Sequence, residues 1–216
     1  ARHSGRTYVH PYDDPRTIAG QGTIAVELEE QVLSEAAAVL VPVGGGGLLS
    51  GIATWIRSRF PDIKIYGVEP TGAASMAAAM DADQIVSLPS VDPFVDGTAV
   101  GRAGELPYSI VKELVDDILV VPEGAVCTEM LDLYHSDGVI AEPAGALASA
   151  AARMYFSDPE QRNELLGGNE GAIVAIVSGG NNDMTRYAEI MERSLRHEGL
   201  RHYFLVTFPQ QPGALR

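Results

Sequence analysis

Four consecutive glycines, Gly44, Gly45, Gly46 and Gly47, have the clearest potential for chemistry in this sequence of 216 residues. They form a glycine loop (residues 44–47) between an apolar, strand-like run and a helical pattern that Leu48 opens. Because glycine has no Cβ, four backbone N–H groups can close around an anion, and a helix start adds further N–H groups and a positive dipole end. A flexible linker is the alternative, but the position between a strand and a helix favours a phosphate-binding loop.

The neighbouring residues restrict the kind of phosphate. No Gly-Lys-Ser/Thr sequence follows the glycine loop, which disfavours an ATP-binding Walker loop. The third glycine and the later acidic residue of a dinucleotide fingerprint are also missing from convincing positions, which disfavours NAD. The loop therefore predicts a ligand with a single, compact phosphate group.

A second motif, Ser-Gly-Gly-Asn-Asn-Asp at residues 178–183, follows the most strand-like run of the chain. Ser178 should then lie at the carboxyl end of a strand, which is where ligands bind in parallel α/β sheets. An ordinary strand-to-helix turn, with Asp183 as the helix N-cap, is the alternative interpretation.

Other polar residues allow a structural or a functional interpretation. Glu142 precedes a predicted helix in the motif Glu-Pro-Ala-Gly-Ala, where a carboxylate either interacts with the helix dipole or serves as a buried functional group. His10, Asp13 and Asp14 lie in a segment rich in turn-forming residues. We interpret His10 as a structural histidine and the two aspartates as turn and cap residues rather than metal ligands.

The elements that must position these residues follow from hydrophobic periodicity. Short apolar runs, typical of buried strands, occur at 7–10, 39–43, 63–68, 118–121 and 173–177. Helical spacing occurs at 23–37, 48–60, 73–80, 106–115, 125–135, 144–155 and 184–198. This alternation predicts an α/β fold with a mostly parallel sheet and flanking helices. We interpret 157–171 as a surface connection and 202–208 as a further strand, after a domain boundary near 195–199.

Composition argues against several classes of function. Fifteen Lys and Arg against 29 Asp and Glu give a net charge of −14, which disfavours nucleic-acid binding because phosphate backbones need clustered positive charge. The single cysteine, Cys127, cannot form an intrachain disulfide, and its apolar surroundings predict a buried thiol. The sequence contains no metal-ligand spacing, signal peptide or run of membrane-spanning length, so we expect a cytoplasmic protein without metal.

Six motifs follow one another along the chain. They are HPYDDP with AGQGT at 10–23, VPVGGGGLLSG at 41–51, GVEP at 67–70, DGTAVGRAG at 96–104, SDGVIAEPAGALA at 136–148 and SGGNND at 178–183. In this combination they resemble the fold-type II enzymes that use pyridoxal 5′-phosphate, whose fold is that of tryptophan synthase β. The specific match is to biosynthetic threonine dehydratases, also called threonine ammonia-lyases, and it extends from about residue 8 to the end.

The resemblance implies pyridoxal 5′-phosphate as the cofactor and suggests roles for the matched positions. The backbone N–H groups of the glycine loop and Leu48 would hold the cofactor phosphate. Ser178 would face the pyridine nitrogen, where a neutral hydroxyl makes a weaker electron sink than a carboxylate and so favours β-elimination. Glu142 would lie near the cofactor ring, and Gly97 near the ring face, where a side chain would clash. The implied reaction converts L-threonine into 2-oxobutanoate and ammonia, the first step of isoleucine biosynthesis.

One feature of the family is missing from this sequence. Its Schiff-base lysine lies in an SxxK-like motif near the N-terminus, followed by an SxGNHAQ-like substrate loop, and neither motif occurs here. Lys64 and Lys112, the two lysines of the chain, lie in a strand pattern and an amphipathic helix and are interpreted as solvated surface residues. We therefore expect no catalytic residue in this chain and expect the Schiff-base lysine N-terminal to it.

The resemblance also suggests a domain organisation. Residues 1–195 would be part of the catalytic domain, and residues 196–216 the linker and first strand of an α+β, ACT-like regulatory domain. This implies an amino-acid substrate, feedback regulation by isoleucine and a homo-oligomer, either a tetramer or a dimer. Two alternatives remain open: serine or threonine dehydration or serine racemisation on the same fold, and a non-catalytic protein that binds a phosphorylated small molecule.

Overall fold

A computed structural model describes residues 7–207 of the chain. Within this part lies a parallel sheet with strands β1 Ala36–Pro42, β2 Lys64–Pro70, β3 Asp117–Val121 and β4 Ala172–Ala175. The spatial order is β3-β2-β1-β4, and each neighbouring pair is parallel. The carboxyl ends of β1 and β4 are therefore adjacent, at the end of the sheet where ligands bind in folds of this kind.

Helices connect the strands and cover both faces of the sheet. Their bounds are α1 Pro15–Gln21, α2 Thr23–Gln31, α3 Gly47–Arg59, α4 Ser75–Asp81, α5 Glu105–Leu114, α6 Glu123–Asp132, α7 Pro143–Phe156, α8 Pro159–Leu166 and α9 Tyr187–His197. Val39 and Val41 of β1 pack with α2, α3 and α5, whereas Leu40 packs with α6 and α7 on the opposite face. A strand buried on both faces reads as a continuous apolar run, which confirms the predicted α/β fold. Among residues 7–207, no helix is long and apolar enough to cross a membrane.

Several local signals of the sequence agree with the structure. Pro143 is the first residue of α7, where its fixed φ and missing N–H are tolerated. Gly138 ends the turn that follows α6, with a left-handed φ of +67°. Cys127 of α6 is fully buried, and this burial raises the pKa of its thiol to about 12. The prediction of an unreactive structural thiol is consistent with this environment.

The helix predicted for residues 23–37 is too long. It ends at Gln31, and β1 begins at Ala36 rather than at residue 39. Alanine favours helices in isolation, but Ala37 and Ala38 are buried between two layers of helices, and this tertiary environment overrides the local propensity.

Two other predictions of secondary structure are wrong. The apolar run at 7–10 forms no strand. The stretch 157–171, interpreted as a surface connection, contains α8. Asp158 is the N-cap of this helix and accepts hydrogen bonds from two backbone N–H groups, and Pro159 is its first residue. These are ordinary signals of a helix start, and the polar composition of the stretch obscured them.

The strand predicted for 202–208 does not form in the part that the structure describes. Helix α9 ends at His197, and residues 201–207 adopt neither helix nor strand. Leu205 is 100% exposed, and none of the strands within residues 7–207 pairs with this segment. A strand requires a hydrogen-bonded neighbour, so its apolar pattern alone is insufficient. Residues 208–216 lie outside the described residues, and the division at residue 195 stays a prediction.

Candidate functional site

The glycine loop forms the junction between β1 and α3. Val43 still continues the sheet, since its N–H donates to Val68 O at 2.8 Å. Gly46 then adopts a left-handed φ of +92° as the N-cap of α3, and its carbonyl oxygen accepts the N–H of Ser50 at 2.9 Å. Within residues 7–207, none of the N–H groups of residues 44–48 donates to another backbone group. Several free donors therefore converge at a helix start, an arrangement that binds phosphate.

Three other segments of the chain enclose the glycine loop. A Cβ on Gly45 would lie 2.2 Å from Cγ of Tyr12, and a Cβ on Gly46 would lie 2.5 Å from Cε of Met76. A Cβ on Gly44 would lie 3.1 Å from Cα of Thr98. The loop must consist of glycines because its surroundings already occupy the space of a side chain.

A cavity of about 460 Å³ opens at the glycine loop. All eight residues predicted to bind the cofactor line it: Gly44, Gly45, Gly46, Gly47, Leu48, Gly97, Glu142 and Ser178. Tyr12, Gln21, Pro42 and Thr98 are among the further lining residues, which the sequence-based interpretation did not assign to the site. Tyr12 belongs to the HPYDDP motif, and its place within this motif is the signal that could have identified it. The cavity volume is within the range of small-ligand sites.

Ser178 follows β4 at the carboxyl end of the sheet, as predicted. Ile176, just beyond β4, still donates its N–H to Leu40 O of β1 at 3.0 Å, so the chain leaves the sheet beside the glycine loop. The loop after Ser178 packs directly on α7, since a Cβ on Gly145 would lie 2.2 Å from Gly179 O. Ser178 is exposed and lines the cavity, and its hydroxyl is a neutral donor and acceptor.

Glu142 joins three segments of the cavity wall. Its backbone N–H donates to Gly179 O at 3.0 Å, and its Oε2 accepts the N–H of Asn181 at 3.1 Å. Its Oε1 would lie 3.3 Å from a Cβ on Gly97. Glu142 is also the N-cap residue of α7, without a hydrogen bond from its side chain to that helix. The half-buried carboxylate therefore holds the Ser178 loop beside the start of α7, and a functional role of Glu142 stays a prediction.

The turn-rich segment before α1 has a structural role. The Nδ1 atom of His10 accepts the N–H of Asp13 at 2.8 Å. Asp14 is the N-cap of α1, and its hydrogen bonds from the Arg16 side chain hold the pKa of the Asp14 carboxyl well below its usual range. Asp13 accepts the first two N–H groups of α5 at 3.0 Å each. The prediction that both aspartates are cap residues is therefore confirmed.

Asp183 is likewise a cap residue, because its side chain accepts the N–H of Thr185 at the turn before α9. No group of three or more His, Cys, Asp and Glu that could hold a metal ion occurs within residues 7–207.

Neither lysine lies in the cavity. Lys64 is the first residue of β2, at the amino end of the strand, and its Nζ pairs with Oδ1 of Asp116 at 2.8 Å. Lys112 of α5 pairs with Asp83 on the surface, and this hydrogen bond raises the pKa of Lys112. Both are surface residues, as predicted, and neither of them lines the cavity at the glycine loop.

Glu69 is a buried carboxyl group that the sequence-based interpretation did not identify, and it supports the glycine loop through Met76. Glu69 of β2 is 0% exposed, and its oxygens accept the N–H groups of Met76 and Ala77 at 2.8 Å each. Burial raises the pKa of Glu69 to about 7, although these hydrogen bonds oppose the shift. Because Met76 packs against Gly46, Glu69 helps to fix the glycine loop.

A cavity with free N–H donors at a helix start suits a ligand that carries a phosphate group. The family profile described as pyridoxal-phosphate dependent enzyme matches residues 1–179, and the chain belongs to this family. The resemblance of the six motifs and the predicted cofactor are therefore confirmed. The residues present fit the cofactor, because the N–H groups of the glycine loop and Leu48 donate to no other backbone group and these residues line a cavity of about 460 Å³.

Among the relatives, the biosynthetic L-threonine dehydratase IlvA of Mycobacterium leprae is 53% identical over 215 residues, 99% of this chain and 48% of its own length. The enzyme of the same name from Bacillus subtilis is 49% identical over 211 residues, 98% of this chain and 48% of its own length. The chain thus spans about half the length of the curated relatives it matches.

Solved structures show the same fold. The processed form of threonine deaminase isoform 2 from Solanum lycopersicum superposes with a TM-score of 0.79 at 38% identity, over 88% of this chain and 53% of that chain. Maize serine racemase superposes with a TM-score of 0.78 at 36% identity, over 92% of this chain and 58% of that chain.

Proposed function

We propose that this chain is part of a pyridoxal-phosphate-dependent lyase that converts L-threonine into 2-oxobutanoate and ammonia. The observation that carries the proposal is the convergence of the glycine loop, Gly97, Glu142 and Ser178 on one cavity. The similarity to biosynthetic threonine dehydratases over nearly the whole chain supports threonine as the substrate.

The residues of the cavity would divide the work of holding the cofactor. The free N–H groups of the glycine loop and Leu48 bind the phosphate. The hydroxyl of Ser178 would pair with the ring nitrogen without supplying a charge, and Glu142 holds the Ser178 loop in place through the N–H of Asn181. When bound, pyridoxal 5′-phosphate withdraws electrons from the α-carbon of the amino acid, so that the α-proton and the β-hydroxyl can leave. A neutral partner at the ring nitrogen favours this elimination over transamination.

The overall conversion needs no oxidant or reductant. Threonine loses its α-proton and its β-hydroxyl as water, and hydrolysis of the resulting enamine consumes one water and releases ammonia. We propose that the covalent lysine belongs to a part of the protein N-terminal to these 216 residues, since neither Lys64 nor Lys112 lies at the cavity. No residue of this chain is assigned a covalent role.

We further propose a cytoplasmic homo-oligomer, a tetramer or a dimer, in which isoleucine inhibits the enzyme. The motif resemblance of residues 198–215 to the start of an ACT-like domain supports this regulation, together with the biosynthetic type of the relatives. Under this proposal, residues 1–195 are catalytic and residues 196–216 lead into the regulatory domain.

Borohydride reduction of the protein at its full natural length, followed by peptide mapping, tests the enzyme class. We expect the cofactor on one lysine outside the 216 residues, and release of 2-oxobutanoate from threonine. A reduced protein in which no lysine carries the cofactor contradicts the proposal, and so would cofactor attachment at Lys64 or Lys112.

The similarity to maize serine racemase supports a second candidate, a serine dehydratase or racemase. Oxoacid release from threonine and serine, measured side by side with chiral analysis of the remaining serine, separates the two. Faster turnover of serine, or accumulation of D-serine, favours the second candidate. Inhibition of threonine turnover by isoleucine favours the first.

A further inference from the structure

The loop that carries Gly97 packs against helix α9 and the turn that precedes it. This loop, residues 92–98, starts at Asp92, whose N–H donates to Gly72 O at 2.9 Å, and ends at Thr98 in the cavity wall. Its aromatic side chain, Phe94, is 4% exposed. The residues that bury Phe94 therefore contribute to the position of the wall.

Two arginines lie over the Phe94 ring. The guanidinium carbon of Arg193, on α9, is 4.0 Å from the ring centre, and that of Arg186, in the turn before α9, is 4.9 Å from it. Arg186 Nη2 also donates to Phe94 O at 2.6 Å. The two guanidinium groups approach carboxylates of the same loop, Asp96 at 3.7 Å and Asp92 at 3.9 Å. A planar guanidinium both stacks on an aromatic ring and is attracted by its electrons.

Helix α9 provides a fixed support for Arg193. Ile190 is fully buried, and the hydroxyl groups of Ser194 and Thr128 on α6 are 3.0 Å apart. The two helices approach so closely that a Cβ on Gly124 would lie 2.6 Å from Cβ of His197. Arg193 therefore projects towards Phe94 from a backbone that is packed against the body of the fold.

The opposite side of the 92–98 loop is tightly packed as well. A Cβ on Gly97 would lie 2.7 Å from Cβ of Ala144, and Cα of Thr98 would lie 3.1 Å from a Cβ on Gly44. In an interior packed at this density, even a small displacement of the loop changes the cavity wall next to the glycine loop.

We propose that Arg193, assisted by Arg186, is a positioning residue: it fixes the 92–98 loop through Phe94 and thereby sets the affinity of the cavity for pyridoxal 5′-phosphate. The identity of this ligand rests on the proposed function, whereas the fixation of the loop does not. Neither arginine lines the cavity, so we expect the effect on the ligand to pass through the loop that both arginines contact.

The test uses the protein at its full natural length with the variants Arg193→Ala, Arg193→Lys and Phe94→Leu. Glu189→Gln is the matched control, because it removes the ion pair of Glu189 with Arg193 on the same helix but leaves the contact with Phe94. We expect Arg193→Ala and Phe94→Leu to raise the dissociation constant for pyridoxal 5′-phosphate about three- to tenfold, as for the loss of one partly exposed cation–π contact. Arg193→Lys keeps the charge but loses the planar stack and should be intermediate.

Hydrogen exchange of the unliganded protein gives a readout that needs no cofactor. The amides of residues 92–98 should exchange about three- to tenfold faster in Arg193→Ala and Phe94→Leu than in the wild type, with no change in Glu189→Gln. Unchanged exchange in both variants overturns the positioning role. A lower thermal midpoint without a change in exchange or affinity also overturns it, because Arg193 would then only stabilise the fold. A wild-type protein that fails to bind the cofactor would instead refute the proposed function.

Discussion

The buried carboxyl group of Glu69 leads to a quantitative prediction about stability. It lies on β2, accepts two backbone N–H groups at the start of α4, and reaches the glycine loop through Met76. Burial raises the pKa of Glu69 from 4.5 to about 7. The perturbation that tests this environment is Glu69→Gln, which keeps the size of the side chain and cannot ionise.

The sign of the pH dependence follows from proton binding. Because the pKa of Glu69 is higher in the folded than in the unfolded chain, the folded protein binds more protons between pH 4.5 and about 7. The free energy of unfolding that Glu69 contributes therefore falls as the pH rises through this window, and it is constant above it. The difference between 4.5 and about 7 corresponds to on the order of 3 kcal/mol. In Glu69→Gln one acceptor becomes a donor that faces a backbone N–H, which costs about 1–3 kcal/mol at every pH.

Urea unfolding of wild type and Glu69→Gln, followed by circular dichroism across this pH window, measures the difference between them. The wild type should be the more stable protein near pH 4.5, and its advantage should shrink or reverse by on the order of 3 kcal/mol above pH 7. Subtracting the two curves removes the contribution of histidines and other groups that both proteins share. A difference that is constant with pH, or that grows towards high pH, would refute the assignment of a destabilised buried carboxylate.

Three other predictions concern the glycines and the cysteine. Gly45→Ala places a Cβ 2.2 Å from an aromatic carbon of Tyr12 and should weaken cofactor binding at least about tenfold in a fluorescence titration. The control Gly20→Ala, whose Cβ would have no neighbour within 4 Å, should leave the affinity unchanged. Equal affinities of the two variants would contradict the role of the loop. Gly145→Ala places a Cβ 2.2 Å from Gly179 O and should lower the free energy of unfolding, measured by urea denaturation, by about 1–3 kcal/mol. An unchanged free energy of unfolding would mean that this contact relaxes freely. Cys127, with its pKa raised to about 12, should react with a thiol reagent only after unfolding, and rapid labelling of the native protein, detected by mass spectrometry, would contradict its burial.

Local patterns correctly predicted the elements whose residues all lie in the same kind of environment. The strands at 39–43 and 63–68 are apolar throughout because both of their faces are covered, and helix α3 follows the glycine loop as expected. The helix predicted for 23–37 wrongly includes Ala36 and Ala37, since alanine carries no signal that separates a buried strand from a helix. The run at 202–208 shows the converse, because a strand-like pattern without a hydrogen-bonding neighbour remains irregular over its described residues.

The candidate site shows the same division. The sequence identified eight of the lining residues, because their motifs have a recognisable order. It did not reveal Tyr12, Thr98 or the support of Glu69, since the glycine loop contacts Tyr12, Met76 and Thr98, which are far from it in the chain. The contact of Arg193 with Phe94 is of the same kind, because nothing in the local sequence relates a helix near the end of the chain to the loop before Gly97.

By itself, the sequence determined the family and the absence of the family's lysine motif from these residues, and it predicted a phosphate-binding role for the glycine loop, because backbone freedom, residue type and motif order are local properties. Only the tertiary structure decided that Gly97, Glu142 and Ser178 meet the glycine loop in one cavity. The physical reason is that the parallel sheet brings the carboxyl ends of β1 and β4 together, and burial on both faces selects which residues can be close. Proximity and desolvation, including the environment that shifts the pKa of Glu69, arise only from that packing.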